Sequence, residues 1–121
     1  ATETASTEKE RETPEIPLNI DLFSEELGER ELAEKLVGDF LEQAQSQLPG
    51  IKESFQNGDY KTLHREAHSI AGGAMNIYAS DLRKKAKNLE AAGKAENPEE
   101  IPQLIEAVEQ ELNRISRFLS T

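Results

Sequence analysis

The chain carries two histidines, His64 and His68, and no cysteine. An imidazole can serve near neutral pH as a nucleophile, an acid–base group or a metal ligand. The lack of cysteine excludes disulfides, thiolate zinc sites and thiol nucleophiles together. The histidines stand four apart in His64-Arg65-Glu66-Ala67-His68, so on a helix they lie near one face. That spacing can chelate zinc. The zinc-protease motif, however, needs Glu directly after the first histidine, and here that residue is Arg65. With no other histidine, any further ligands would have to be carboxylates, and the residues do not favour a built metal site.

Charge singles out the same stretch. Between Lys61 and Lys87 stand Lys61, Arg65, Arg83, Lys84, Lys85 and Lys87 against Glu66 and Asp81, locally +4 in a chain of net charge −10. A basic patch beside a histidine suits an anionic partner or a phosphoryl group. It equally describes a solvated face that balances an acidic body. The overall acidity makes the chain a poor binder of nucleic acid or of an anionic membrane surface.

The elements that must position these residues read as helices. A chain of 121 residues, 36% hydrophobic and without Trp, suits one domain whose core is built from Leu, Ile, Val and Ala. Residues 1–18 are rich in Thr, Ser and Glu, contain Pro14 and Pro17, and read as a disordered linker. The chain lacks a starting Met and a signal-peptide layout, so it reads as a processed product or as a piece of something longer. No apolar run approaches the ~20 residues needed to span a bilayer.

Residues 19–121 then form the folded domain. A short first helix through Leu22, Phe23 and Leu27 is capped by Asn19 or Asp21 and ends at Gly28. A second carries the stripe Leu32, Leu36, Val37, Phe40, Leu41, Ala44, Leu48, Ile51 and Phe55, and its register persists across Pro49. The third runs from Tyr60 to Asn76 with Leu63, Ala67, Ile70 and Ala74 inward. The fourth starts at an N-cap Ser80, buries Leu82, Ala86 and Leu89, and stops at Gly93. The last begins near Asn97-Pro98 or at Pro102 and buries Ile105, Val108, Leu112, Ile115 and Leu119. Nothing reads as a strand. The expected fold is all-α: an antiparallel up-down four-helix bundle with a short extra N-terminal helix.

On the third helix His68 falls roughly 140° from the centre of the apolar stripe, on the solvent side. Lys61, Arg65 and Gly72 share that outer face, and His64 flanks it. A helix-interior glycine costs about 1 kcal/mol relative to Ala. Gly72, one turn after His68, leaves room for another molecule to approach the imidazole, whereas Gly73 points elsewhere and can admit a neighbouring helix. The same glycines equally fit a weak helix end.

Ala67-His68-Ser69-Ile70-Ala71-Gly72-Gly73-Ala74, followed by Leu82 and by Leu89-Glu90, resembles the signature of histidine phosphotransfer (HPt) domains, found in hybrid sensor kinases and chemotaxis kinases. With its helical context the resemblance covers residues 19–120. It implies a phosphocarrier of a two-component phosphorelay, with His68 as phosphoacceptor exchanging a phosphoryl group with an aspartate of a receiver domain. Glu90 would orient the imidazole. Gly72, Arg65, Lys84, Lys85 and His64 would serve docking. Partners would be a receiver domain and a histidine kinase, the setting cytoplasmic. No cofactor of its own is expected, since Mg²⁺ comes with the receiver. There is no Walker motif.

Two positions depart from the family pattern. The usual Lys three residues after the histidine is Ala71, so Arg65, Lys84 or Lys85 would have to supply the cation. The glycine usual in the following turn is missing near Tyr78, and Asn76 can take the left-handed conformation instead. The first departure keeps an alternative in play: an HPt-like adaptor that docks partners without transferring phosphate.

Overall fold

Local chemistry sets several helix ends. The computed structural model describes residues 17–120, and they form α1 (Ile20–Leu27), α2 (Arg30–Gln56), α3 (Tyr60–Asn76), α4 (Ser80–Lys94) and α5 (Ile101–Ser120). No strand occurs among the described residues. Asn19 caps α1 by accepting from the Leu22 N–H at 3.0 Å, and Gly28 ends the helix with a left-handed φ of 83°. Asp59 caps α3 by accepting from the Thr62 N–H at 3.1 Å. Hydrogen bonds from the Thr62 side chain and backbone, in that order, hold the Asp59 carboxyl below its ordinary range.

The bundle is an up-down ring. Each of α2, α3, α4 and α5 packs on the next, α5 closes on α2, and α1 lies against α2. α2 runs unbroken through Pro49. A proline inside a helix costs about 3 kcal/mol, but Ala44, Leu48 and Ile51 on both sides of it are buried, and anchoring that stripe holds the helix together.

The structure corrects several details. Leu32 and Leu36, expected in the core stripe, are exposed, while Ala33 and Val37 beside them are fully buried. Consecutive helical positions lie about 100° apart, and an apolar residue at the stripe's edge looks like one at its centre until neighbours choose the buried arc. Ser80 does not cap α4: the N-cap is Ala79, with no side-chain cap. Gly93 is not a stop but a buried residue inside α4. Tyr78, rather than Asn76, takes the left-handed turn, with φ 63°. That conformation costs a bulky residue about 1–2 kcal/mol. Contacts to α1 offset it: the Tyr78 ring lies 6.0 Å from that of Phe23, and the Tyr78 carbonyl accepts from the Asn19 N–H at 3.1 Å. Its hydroxyl donates to Glu26, which, with burial, holds the phenol above its ordinary pKa.

Of the expected linker, residues 1–16 lie outside the described residues. Pro17 and Leu18 are buried, and Leu18 belongs to the core.

Candidate functional site

α3 and α4 run antiparallel, so residues one turn further along α3 meet residues one turn earlier on α4. Gly93 brings the two helices close. A Cβ there would meet Leu63 Cδ2 at 2.7 Å and the His64 backbone at 3.4 Å. This approach lets a single α4 residue hold both histidines of α3. The Glu90 carboxylate takes His68, with Nδ1 2.9 Å from Oε2, and the Glu90 carbonyl takes His64 Nδ1 at 3.2 Å. A carbonyl only accepts, so His64 carries its proton on Nδ1. A carboxylate likewise favours His68 with the proton on Nδ1, which leaves Nε2 with a free lone pair.

His68 is the exposed member of this pair. Its side chain is 67% accessible against 14% for Glu90. Burial works to raise the Glu90 pKa, but the hydrogen bond from His68, the charge of His68 and the nearby Lys87 outweigh it, and the net shift is downward. Glu90 Oε1 is buried and accepts no hydrogen bond of good geometry. Its neighbour is the Lys87 ammonium, 3.4 Å away.

His64, His68 and Glu90 form part of the wall of a groove of about 530 Å³ between α3 and α4, also lined by Lys61, Arg65, Lys87, Ala91 and Lys94. Four cations therefore surround one carboxylate and two imidazoles, in a chain of net charge −10. Such a groove suits an anion beside a ring nitrogen that carries a lone pair. No cluster of three or more metal-ligating side chains occurs among the described residues.

Of the residues singled out in the sequence, His68, Glu90, His64 and Arg65 come together here. Gly72 lies exposed one turn beyond His68, and a Cβ on it would meet nothing within 4 Å. Gly73 faces α2, where a Cβ would run into the Phe40 ring. Lys84 and Lys85 do not join the groove. Counted around α4 from Glu90, Lys87 lies roughly 60° away, Lys84 roughly 120° and Lys85 roughly 140°. Lys85 instead pairs at 3.1 Å with the buried Glu111 of α5. Neither lysine lines the groove, and Ala71 itself is buried. Lys87 enters the sequence reading only as one member of the basic patch, and Lys94 not at all. Their signal was their spacing, three before and four after Glu90, which places them near its face of the helix.

The Hpt domain family profile matches residues 35–118. The crystal structure of histidine-containing phosphotransfer protein B from Pseudomonas aeruginosa is similar, with a TM-score of 0.78, covering 87% of this chain and 92% of that one. The two are 24% identical in sequence, a likeness that speaks to the fold. No curated protein sequence matches the chain. No helix among the described residues is long and apolar enough to cross a membrane.

Proposed function

Because the chain belongs to the Hpt domain family, we propose that it carries a phosphoryl group on His68 within a two-component phosphorelay, exchanging it with an aspartate of a receiver domain. One observation carries this reading: the 2.9 Å contact between His68 Nδ1 and Glu90 Oε2 on an otherwise exposed ring. With Nδ1 committed to Glu90, Nε2 is the nucleophile and faces solvent. Its lone pair forms the P–N bond as the P–O bond to the aspartyl carboxylate breaks, and the carboxylate leaves with the electron pair. The Nδ1 proton stays in place. The ring becomes an imidazolium, and the ionised Glu90 neutralises that charge as it develops. The return transfer runs the same steps backwards.

Gly72, beside His68 and open to space, leaves a passage for the receiver's backbone. Arg65 and His64 line the groove that the receiver's acidic site would face. The receiver brings the Mg²⁺ that neutralises the phosphoryl oxygens in transfer. A histidine kinase supplies the phosphoryl group upstream, which puts the domain in the cytoplasm with its ATP.

The test is intact-mass analysis after incubation with a phosphorylated receiver domain or a small phosphoramidate donor. One acid-labile phosphoryl group is expected on the wild type and on His64→Gln, and none on His68→Gln. His68→Gln should melt within about 2 °C of wild type, since an exposed side chain contributes little to the core. Folded wild-type protein that takes up no phosphoryl group from several donors would overturn the carrier reading in favour of a docking domain.

A further inference from the structure

We propose that Lys87, on α4, is the residue that neutralises the phosphoryl group on His68, filling from the neighbouring helix the place left by the buried Ala71. The proposal rests on His68 being the phosphoacceptor. Three observations carry it.

The first is register. His68 meets Glu90 across the α3–α4 interface. In an antiparallel pair, one turn forward on α3 meets one turn back on α4, which brings Ala71 level with Lys87. Ala71 is 3% exposed, a methyl group in the core, and the cation at this height comes from α4.

The second is the attachment of Lys87. Its ammonium lies 3.4 Å from Oε1 of the carboxylate whose Oε2 holds His68. One carboxylate separates the ammonium from the imidazole. Oε1 is buried without a well-formed hydrogen bond, so Lys87 holds it by charge rather than by a directed bond.

The third is freedom of movement. The Lys87 side chain is half-exposed, on a flexible four-carbon stem with three N–H donors. A phosphoryl group on Nε2 presents anionic oxygens in the same groove. Lys87 can keep its ammonium beside Glu90 and turn an N–H to a phosphoryl oxygen. It transfers no proton. The P–N bond forms and the P–O bond to the donor aspartate breaks as before, and Lys87 neutralises charge on the product. Lys87 is thus a group that touches the transferred phosphoryl, in addition to its pairing with Glu90.

The experiment measures how the phosphoryl group partitions at equilibrium between the full chain and a receiver domain, followed by intact mass. Lys87→Gln is compared with wild type, with Lys87→Arg and with Lys52→Gln. Lys52 pairs with Glu109 on the α2–α5 side of the bundle and controls for loss of one positive charge. Melting temperatures are recorded for all four proteins. Lys87→Gln should lower the phosphohistidine-to-phosphoaspartate ratio about three- to tenfold, the size expected of one half-exposed charge-assisted hydrogen bond. Lys87→Arg should restore the ratio to within about twofold, because a guanidinium also donates to phosphate. Lys52→Gln should leave it unchanged. An unchanged ratio in Lys87→Gln, or an equal fall in Lys52→Gln, would overturn the role of Lys87 while leaving the carrier reading intact. A wild type that accepts no phosphoryl group would remove both.

Discussion

Two carboxylates touch opposite sides of α4, and they are satisfied to different degrees. Glu111, on α5, is 2% exposed and takes Lys85 at 3.1 Å and Arg114 at 2.9 Å, and Arg114 in turn lies 3.6 Å from Asp81. Every charge in that cluster answers another within the fold. Glu90 is less deeply buried, at 14% exposure, and one of its oxygens holds a solvent-exposed histidine while the other has only a loose ammonium beside it. The first cluster joins two helices. The second leaves a reactive nitrogen, an under-used oxygen and a mobile cation facing a groove. A charged network with bonding capacity left over and an exposed end is where chemistry with an outside molecule is to be sought, and a saturated one is architecture.

The sharpest way to break this contrast is to remove each carboxylate in turn. Glu111→Ala should lower the unfolding free energy by about 2–3 kcal/mol. That is below the loss expected on breaking a fully buried pair, because Lys85 and Arg114 both reach solvent. Urea denaturation measures it, and phosphoryl uptake by the folded protein should not change. Glu90→Ala should do the converse. Phosphorylation of His68 should slow about tenfold, since the ring loses the group that fixes its tautomer and neutralises its developing charge, with a stability loss of at most about 1 kcal/mol. If Glu111→Ala slowed phosphorylation as much as Glu90→Ala, the division between the two clusters would fail.

A smaller effect tests whether Gly72 serves the partner or the fold. Nothing in the domain occupies the space of a Cβ there, so Gly72→Ala should stabilise the domain by about 0.5–1 kcal/mol in thermal melts. Gly72→Phe should fold yet weaken transfer to a receiver. A destabilised Gly72→Ala would show that the helix itself needs the glycine.

The smallest effect is the pH signature of Glu90. Its pKa in the fold lies below its ordinary value of 4.5. Its contribution to stability is therefore complete above that value and is lost as pH falls through the lowered one. As pH falls from about 5 through the lowered pKa, the wild type should lose slightly more stability than Glu90→Ala. Parallel curves would mean that His68 and Lys87 do not hold the carboxylate in its ionised form.

Helix periodicity and the caps of α1 were readable from local residues. The exposed placement of His68 followed from the register of Leu63, Ala67, Ile70 and Ala74 alone, and Asn19 and Gly28 marked both ends of α1. These are properties of one helix at a time, and the chain encodes them within a few residues. Most corrections concern what lies between helices, although Ser80 as a cap and Asn76 as the left-handed residue failed locally. Lys85 and Lys87 are alike in sequence, yet one turns to Glu111 and the other to Glu90. Gly93 looks like a terminator and is a contact point for α3. Leu36 looks like core, and its neighbour Val37 takes the place.

The sequence by itself determined an all-helical chain with His68 outward, an acid at position 90 on the next helix and an alanine, not a lysine, at position 71. Periodicity and residue type act over one turn, and they suffice for that much. The tertiary structure alone decided that Glu90 grips both histidines, that Lys84 and Lys85 leave the groove, and that Lys87 enters it. Those outcomes depend on the rotation and closeness of α3 and α4, which are fixed by packing among residues distant in the chain.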